Sequence, residues 1–402
     1  MLHFGAGMSA AATASAAAKE AVARAARGVE GPKLAIVFVS ATYPDLDAVL
    51  PSVTAALGPI PVVGGTSARC VVGPDGTASP GVSVVVLGGT GIEVFARTVS
   101  IRSPALLELV PVAEELAREA ERAARRGHSH HSCLVFAPSL AVDGEALVAA
   151  VRRGAGARAQ LVGALTGDEL TMDRSRVFAD GELRNDRVTL ASLVTRRPLG
   201  IAARHGWHSV GPVHTVTRAD GVHLLSLDHR RALDVWLEDV RREGGNPPSD
   251  LRELASYLTN EFLLGVDELA RSGAPSAVDD PVVVRAPLRV GPDGGIRLSG
   301  SVPEGTHVRL VHSAPRDLLD ASARAASAAA LRAGPPVAGA LVLACASRVA
   351  ALGACFAEEP AEIQRRIGAP IGGACVYGEI ARNVRDVDAF FNTTTVVLAF
   401  GT

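Results

Sequence analysis

Short apolar runs alternate with helical patterns along the chain, and one order of segments occurs three times. Each copy has an apolar run, a helical stretch, a second apolar run ending in Gly-Gly or Gly-Ala, a polar segment and a third apolar run. Runs of this length and composition, bounded by Gly, Pro or Ser, predict buried strands. The runs are residues 34–40, 61–67 and 82–87; 133–139, 160–166 and 188–194; and 341–347, 370–376 and 394–400.

The spacing within the three copies supports a repeat. The first run and the first glycine of the second run are 30, 30 and 31 residues apart, from position 34 to 64, 133 to 163 and 341 to 372. Two continuous apolar strands joined by a helix indicate a parallel pair covered on both faces. The sequence therefore predicts an α/β fold of repeated β-α-β-β units, which form mixed sheets flanked by helices.

Different segments separate the copies. Helices are predicted near residues 46–57, 103–127, 143–153, 229–243, 250–262 and 315–332, and linker-like stretches at 244–249 and 272–281. Residues 282–311 alternate in a way that predicts an antiparallel meander, with turns at "GPDGG" and "PEG". We interpret the chain as two pseudo-related halves with an inserted β-meander. The predicted divisions are an Ala-rich helix (1–30), a first domain (31–222) and a second domain (223–402).

Composition narrows the classes of function. The formal net charge of −2 argues against a general electrostatic grip on nucleic acid or anionic lipid. Lys19 and Lys33 are the two lysines, and neither lies in a phosphate-binding Walker motif. Five cysteines without a C-x-x-C pair predict neither a disulfide framework nor a zinc site. The N-terminus lacks signal-peptide features and the apolar runs are too short to span a bilayer, so we expect a cytoplasmic protein without a membrane partner.

Several segments together resemble one family. They are "RHGWHSVGPVHTVTRADGVHLLSLDHRRALDVW" (204–236), "VVRAPLRVGPDGGIRLSGSVPEGTHVRLV" (283–311), "LACASR" (343–348) and "PIGGACVYGEIARN" (370–383). In order and spacing the chain resembles the FIST domain family, with its N-terminal and C-terminal halves, from about residue 31 onward. The resemblance implies a free-standing ligand-sensing module of signalling, whose signal a separate protein receives. It also implies small ligands such as amino acids, and haem in some members.

The family's motif is matched in one half of the chain and altered in the other. Gly378, Glu379 and Ile380 match the C-terminal Gly-Glu-Ile that follows the glycine turn. In the N-terminal counterpart, Cys70 stands where the family has glycine and Val71 where it has the carboxylate. The resemblance therefore implies that the third copy keeps a polar wall that the first copy has lost.

Candidate ligand contacts lie at the ends of the third-copy strands. Glu379, with Tyr377 and Asn392, is predicted to form a polar floor for an ammonium or amide group, the alternative being a turn capped by the glutamate. Arg348, beside Cys345, follows the C-terminal end of a predicted strand, where open α/β sheets bind ligands. We expect it to bind a ligand carboxylate, the alternative being a helix-start arginine that pairs with a surface acid.

The first two copies place polar residues at related positions. Thr66 and Ser67 follow the first glycine turn, and Thr166 and Asp168 follow the second, at positions that the spacing equates with Cys375 and Tyr377. Their hydroxyl and backbone groups are predicted to bind a carboxylate. Ordinary turn chemistry is the alternative, because Ser, Thr and Asp favour turns.

Two other classes of function remain open from the sequence. A hydrolase of small amides or esters would use Cys345 or Cys375, but it needs a base, and no histidine is near either in sequence. A haem-based gas sensor would draw its axial ligand from the histidines at 128, 130, 131, 205 and 208. We favour a non-catalytic sensor without a cofactor, which binds its ligand at glycine turns between repeat units.

Overall fold

The computed structural model describes residues 1–139, 141–171, 173–267, 282–382 and 386–402. It confirms the mixed α/β prediction: each of the three sequence copies forms a mixed sheet flanked by helices. A further, inserted domain (residues 208–312) lies between the first strand and the first helix of the third repeat. The linker predicted at 272–281 lies outside the described residues.

The first repeat defines the pattern. Its elements are β1 (Leu2–Ser9), α1 (Ala14–Ala25), β2 (Pro32–Ser40), a 3-10 turn (Leu46–Ala48), α2 (Val49–Leu57), β3 (Val62–Ser67), β4 (Val71–Gly73), β5 (Gly76–Ala78) and β6 (Val82–Gly89). Strands β2 and β3 are parallel and joined through α2, as the apolar runs predict. Strand β6 pairs antiparallel with β2, and β1 with β6, giving the order β1-β6-β2-β3.

The N-terminal segment differs from the helix predicted over residues 1–30. Residues 2–9 form edge strand β1, and the helix is limited to Ala14–Ala25. Leu2 and Met8 are buried in the core, with Phe4 packed against it, a period-2 pattern that the Ala-rich composition hides. Gly5 allows α1 to pack closely, because a Cβ there would lie 1.8 Å from the carbonyl oxygen of Ala25.

The second and third repeats follow the same order. Repeat two comprises β7 (Ile92–Ser100), α3 (Leu109–Ala124), β8 (His130–Pro138), α4 (Gly144–Ala155), β9 (Gln160–Thr166), β10 (Val177–Ala179), β11 (Glu182–Arg184) and β12 (Arg187–Thr195). Repeat three comprises β13 (Leu199–Arg204) and, after the insertion, α7 (Pro315–Ala333), β22 (Val337–Cys345), α8 (Ala346–Leu352), a 3-10 turn (Gly353–Ala357), α9 (Glu358–Ile367), β23 (Ile371–Val376), β24 (Gly378–Arg382), β25 (Asp388–Phe391) and β26 (Thr395–Gly401).

Each repeat lends a hairpin to the sheet of another repeat. Hairpin β4–β5 of repeat one extends the sheet of repeat three beside β23. Hairpin β10–β11 of repeat two extends the sheet of repeat one beside β3. Hairpin β24–β25 of repeat three extends the sheet of repeat two beside β9. This cyclic exchange joins the three repeats into one unit, which we call the three-repeat body.

Backbone hydrogen bonds show which positions of the repeats correspond. The amides of Ala68, Gly167 and Tyr377 donate to the carbonyls of Cys375, Thr66 and Leu165 at 2.8, 3.1 and 3.0 Å. Gly64, Gly163 and Gly373 correspond as well, because a Cβ at each would lie 1.8–2.2 Å from a carbonyl oxygen of the neighbouring strand. The predicted equivalence of Thr166 with Cys375 and of Asp168 with Tyr377 is therefore wrong by one position. The cause is that Gly373, the second glycine of the pair in repeat three, corresponds to Gly64 and Gly163, whereas the spacing in the sequence is counted to Gly372.

The inserted domain is built around a fourth sheet. Its elements are β14 (His208–Asp220), β15 (His223–Leu227), β16 (Arg230–Arg231), α5 (Ala232–Arg242), α6 (Leu251–Glu261), β17 (Leu263–Asp267), β18 (Val282–Arg285), β19 (Pro287–Val290), β20 (Ile296–Leu298) and β21 (His307–His312). The predicted meander strands are present, but β14, β15 and β17 interleave with them in the order β18-β17-β21-β14-β15-β20-β19. The predicted domain boundary at 222–223 falls in the turn between β14 and β15, which pair with each other.

Buried side chains form a core that continues from the repeats into the inserted domain. Phe38 of β2 and Phe136 of β8 meet edge to face, with ring centroids 5.6 Å apart. The same cluster of buried side chains includes Trp236 of α5 and Leu310 of β21. Within the described ranges, no helix has both the length and the apolar character needed to cross a bilayer.

Candidate functional site

A cavity of about 490 Å³ lies where the three-repeat body meets the inserted domain. On the body it is lined at the C-terminal ends of β8 and β22, where Ser139 and Cys345 lie, and by the loops and hairpins that follow β3, β9 and β23. On the inserted domain it is lined by α6, β19 and β20. Its volume is in the range of small-molecule sites, and this edge is where parallel strands commonly place ligands.

Each repeat contributes to this cavity one residue whose side chain has a buried polar atom without a hydrogen-bond partner. The atoms are Nε of Arg69 from repeat one, Oγ of Ser139 from repeat two and Nδ2 of Asn392 from repeat three. Buried polar atoms in proteins are nearly always satisfied, by protein, water or a ligand. These three atoms therefore mark positions where a bound molecule would gain hydrogen bonds.

Asn392 connects the cavity to the inserted domain. Its side chain is 1% exposed, and its Oδ1 accepts a hydrogen bond of 3.2 Å from Nη1 of Arg285 on β18. Arg285 is itself buried, donates to the carbonyl of Phe390 at 3.3 Å and forms an ion pair with Glu145 of α4. The Asn392 amide thus contacts the inserted domain through Oδ1, while its Nδ2 donor has no partner among the described residues.

Tyr377 and Asp168, both predicted ligand contacts, lie against each other but have different roles. Tyr377 lines the cavity, and its hydroxyl lies 2.5 Å from Oδ1 of Asp168. The Asp168 carboxylate does not line the cavity; its Oδ2 accepts the backbone amides of Asp173 and Arg174 at 2.9 Å. Asp168 therefore orders the loop after β9, and burial together with Asp168 raises the pKa of the Tyr377 phenol.

Glu379 lies behind the cavity rather than on its surface. It is fully buried, and its Oε2 accepts the amide of Thr394 at 3.3 Å while Oε1 has no partner. Burial raises its pKa well above the usual range for a carboxyl, against opposing hydrogen bonds from Thr394 and Cys345. The cavity wall at this point is Cys345, whose thiol has its pKa raised to about 12 by burial and by Glu379.

Arg348 binds a carboxylate of the chain itself. The sequence predicts a ligand carboxylate, but the buried guanidinium donates from Nε to Oε1 of Glu359 at 2.7 Å. Its Nη1 donates to the carbonyls of His205 and Thr393 at 2.8 and 3.3 Å, and its Nη2 to Leu318 O and Ser322 Oγ at 2.8 and 2.9 Å. All five donors are used, so the predicted role as a ligand clamp is wrong in this arrangement.

The remaining predicted contacts lie outside the cavity lining, and the hydroxyl oxygen of Ser67 has no hydrogen-bond partner in the described part of the chain. Thr66 Oγ1 donates to the carbonyl of Gly167 at 2.6 Å, and Thr166 Oγ1 to that of Ala137 at 3.3 Å, so both hydroxyls bind carbonyls that are distant in sequence rather than groups of their own turns. Ser67 is buried away from the cavity lining. The Cys375 sulfur lies 3.2 Å from that of Cys70, and both thiols are buried between repeats one and three.

The sequence reasoning missed much of the lining. Of the ten predicted residues, Cys345, Tyr377 and Asn392 line the cavity. Ser139 ends a predicted strand, so the rule that selects Arg348 also selects it, and Arg69 is a positive-φ residue just after a glycine turn. Arg252, Asn260 and Arg297 come from the inserted domain, and no local pattern marks them.

The histidines considered as haem ligands do not lie in the described lining of the cavity, which contains no histidine. The candidates lie elsewhere: His128 contacts the carbonyl of Thr90, His131 the hydroxyl of Ser192, and His205 the amide of Trp207. Cys345 has no imidazole beside it in that lining to deprotonate it. Among the described residues, no group of three or more His, Cys, Asp and Glu side chains could hold a metal ion.

Three mixed sheets with exchanged hairpins and an inserted domain define a two-part α/β module, with a cavity between its two parts. Sequence models of the FIST N domain and the FIST C domain match residues 33–230 and 232–382. The chain belongs to the FIST family. FIST domains are generally sensory domains of signalling that bind small ligands.

Solved structures give weaker likenesses. A cyanuric acid hydrolase from A. caulinodans is similar at a TM-score of 0.35 and 10% identity, with 100% of each chain covered. A chorismatase is similar at a TM-score of 0.32 and 12% identity, covering 100% of this chain and 98% of the other. These TM-scores are too low to bear on fold or function. The sequence comparison with curated proteins finds no match.

Proposed function

We propose that the protein is a sensor that binds an amino acid or a related small metabolite in the cavity between the three-repeat body and the inserted domain. The observation that supports this most directly is the set of unpartnered polar atoms on Arg69, Ser139 and Asn392. An unsatisfied buried polar group costs about 1–3 kcal/mol, which a ligand that supplies the partner recovers. Because each repeat supplies one of these atoms, a ligand bound to all three would contact all three repeats.

The contacts of Asn392 suggest how occupancy is transmitted. A ligand acceptor bound to Nδ2 would hold the amide whose Oδ1 already accepts from Arg285. Arg285 belongs to the inserted domain and pairs with Glu145 of repeat two. A ligand that favours one arrangement of this chain of contacts would shift the population of that state. A separate signalling protein would then recognise the inserted domain in that state.

The chemistry of the lining supports binding over turnover. Cys345 is the thiol of the described lining, and burial and Glu379 raise its pKa to about 12. At neutral pH such a thiol is protonated and therefore a poor nucleophile.

A thermal-shift screen of the common amino acids tests the proposal. A ligand at a hundred times its dissociation constant should stabilise the native state by about 2.7 kcal/mol. The informative variant is Asn392→Asp, because it keeps the oxygen that accepts from Arg285 and removes the Nδ2 donor. We expect Asn392→Asp to fold, to keep its inserted domain in place and to lose the ligand-dependent shift.

Asn246→Asp is the matched control, because Asn246 lies in the inserted domain outside the cavity lining. It should keep the full shift. An unchanged ligand response in Asn392→Asp would mean that the ligand binds elsewhere. A screen without any hit would count against the amino-acid class.

A further inference from the structure

The cavity presents an excess of positive charge. Arg69 comes from the three-repeat body, Arg252 from α6 and Arg297 from β20, and all three line the cavity. None of their guanidinium groups forms a hydrogen bond or an ion pair within the described part of the chain. Since a guanidinium offers a planar set of donors that matches a carboxylate, these groups are suited to an anionic ligand.

Acidic residues compensate this charge only in part. Asp143 is the acid of the described lining, and its Oδ1 is used to cap α4 through the amide of Ala146 at 2.8 Å. Glu169 is an electrostatic neighbour of Arg69 but is not part of the described cavity lining. The lining therefore holds three guanidinium groups against one carboxylate.

The cationic groups come from both parts of the protein that line the cavity, the three-repeat body and the inserted domain. Arg69 accompanies Ser139 and Asn392 on the body, whereas Arg252 and Arg297 belong to the inserted domain and are exposed to solvent. Apolar side chains make up much of the remaining lining: Val142, Leu165, Leu170, Leu288, Leu298 and Phe390. This distribution suits a molecule with two anionic groups and a hydrocarbon segment.

We propose that the ligand is a small dicarboxylate, either a dicarboxylic acid or an acidic amino acid. One carboxylate binds Arg69, Ser139 and Asn392, and the other binds Arg252 and Arg297. The inference rests on the proposed sensor function and adds the class of ligand. Such a ligand bridges the body and the inserted domain, so its binding favours the state in which the two are held together.

Isothermal titration calorimetry of the full chain with matched pairs of probes tests the inference. Glutamate is compared with glutamine, and glutarate with butyrate, because each pair differs in one carboxylate. We expect the dicarboxylates to bind at least tenfold more tightly and to weaken as salt is added, since exposed arginines are screened. The double variant Arg252→Gln, Arg297→Gln should lose the preference for dicarboxylates but still bind the carboxylate that both members of each pair have.

Arg241→Gln is the control, because this arginine is exposed on α5 and does not line the cavity. It should retain the wild-type preference. Equal affinity for glutamate and glutamine, unaffected by the double variant, would overturn the dicarboxylate assignment and leave the sensor function standing. No binding of glutamate or glutarate at millimolar concentration would overturn the assignment as well. The amino-acid screen with Asn392→Asp tests the sensor function itself.

Discussion

At the scale of single residues, Arg348 shows how burial changes the meaning of a motif. The sequence places it after a buried strand, where a ligand carboxylate is a reasonable partner. In the folded chain it is fully buried, and its partner is Glu359, eleven residues on and 1% exposed. A sequence reveals that an arginine follows a strand, but it does not reveal that α9 returns a carboxylate to the same place.

Removal of one member of this pair should destabilise the fold. Arg348→Met leaves Glu359 buried without its counter-charge, which typically costs about 3–5 kcal/mol. The double variant Arg348→Met, Glu359→Leu should recover much of that loss, because both charges are absent. Urea unfolding measures each free energy.

Arg366→Met serves as the control, because Arg366 pairs with Glu362 on an exposed face of α9 and should change stability little. If Arg348→Met kept full stability but lost ligand binding, Arg348 would be a ligand contact after all.

At the scale of elements, the apolar runs and the helical stretches between them are sufficient to predict the buried strands and the crossover helices. Strands β2, β8 and β22 fall on the predicted runs because they are covered on both faces. Edge strand β1 is not predicted from the sequence, because its Gly and Ala residues have low strand propensity. Its position depends on pairing with β6. The hairpin exchange is not predicted either, because it also depends on pairing between distant strands: β24 pairs with β9, more than two hundred positions away along the chain.

An ion cluster links elements of the inserted domain and should make its stability depend on pH. His214 of β14 lies between Asp228 and Asp239, with both ring nitrogens 2.6 Å from a carboxylate oxygen. Only the protonated ring donates from both nitrogens. Burial alone would lower the pKa of His214, and the two carboxylates outweigh it, so the pKa is raised. Glu238, Arg242 and His229 also act on this cluster.

Because the folded-state pKa of His214 lies above its unfolded value, its stabilisation is fully present below the unfolded pKa. That stabilisation is lost as the pH rises through the folded pKa. His214→Gln should therefore lose stability relative to the wild type at about pH 6 and much less at about pH 9. Urea unfolding at the two pH values measures the difference. His223→Gln, exposed at the start of β15, is the matched control, and a pH-independent loss in His214→Gln would contradict the charged arrangement.

At the scale of the whole molecule, the exchanged hairpins make the repeats depend on one another. The predicted halves suggest separable domains, but β4–β5 completes the sheet of repeat three and β24–β25 completes that of repeat two. A cut between β12 and β13, giving residues 1–197 and 198–402, removes a hairpin from each of two sheets. It leaves the edges of β9 and β23 unpaired, and exposed edges promote aggregation.

We therefore expect neither fragment to fold alone and the co-expressed fragments to assemble into one stable complex. Size-exclusion chromatography and circular dichroism of each fragment, alone and together, provide the measurement. The intact chain is the reference, and it should unfold in a single transition because the core of the repeats continues into the inserted domain. A soluble, cooperatively folded 1–197 fragment would mean that repeats one and two satisfy their edges without repeat three, and that the hairpin exchange adds little to stability.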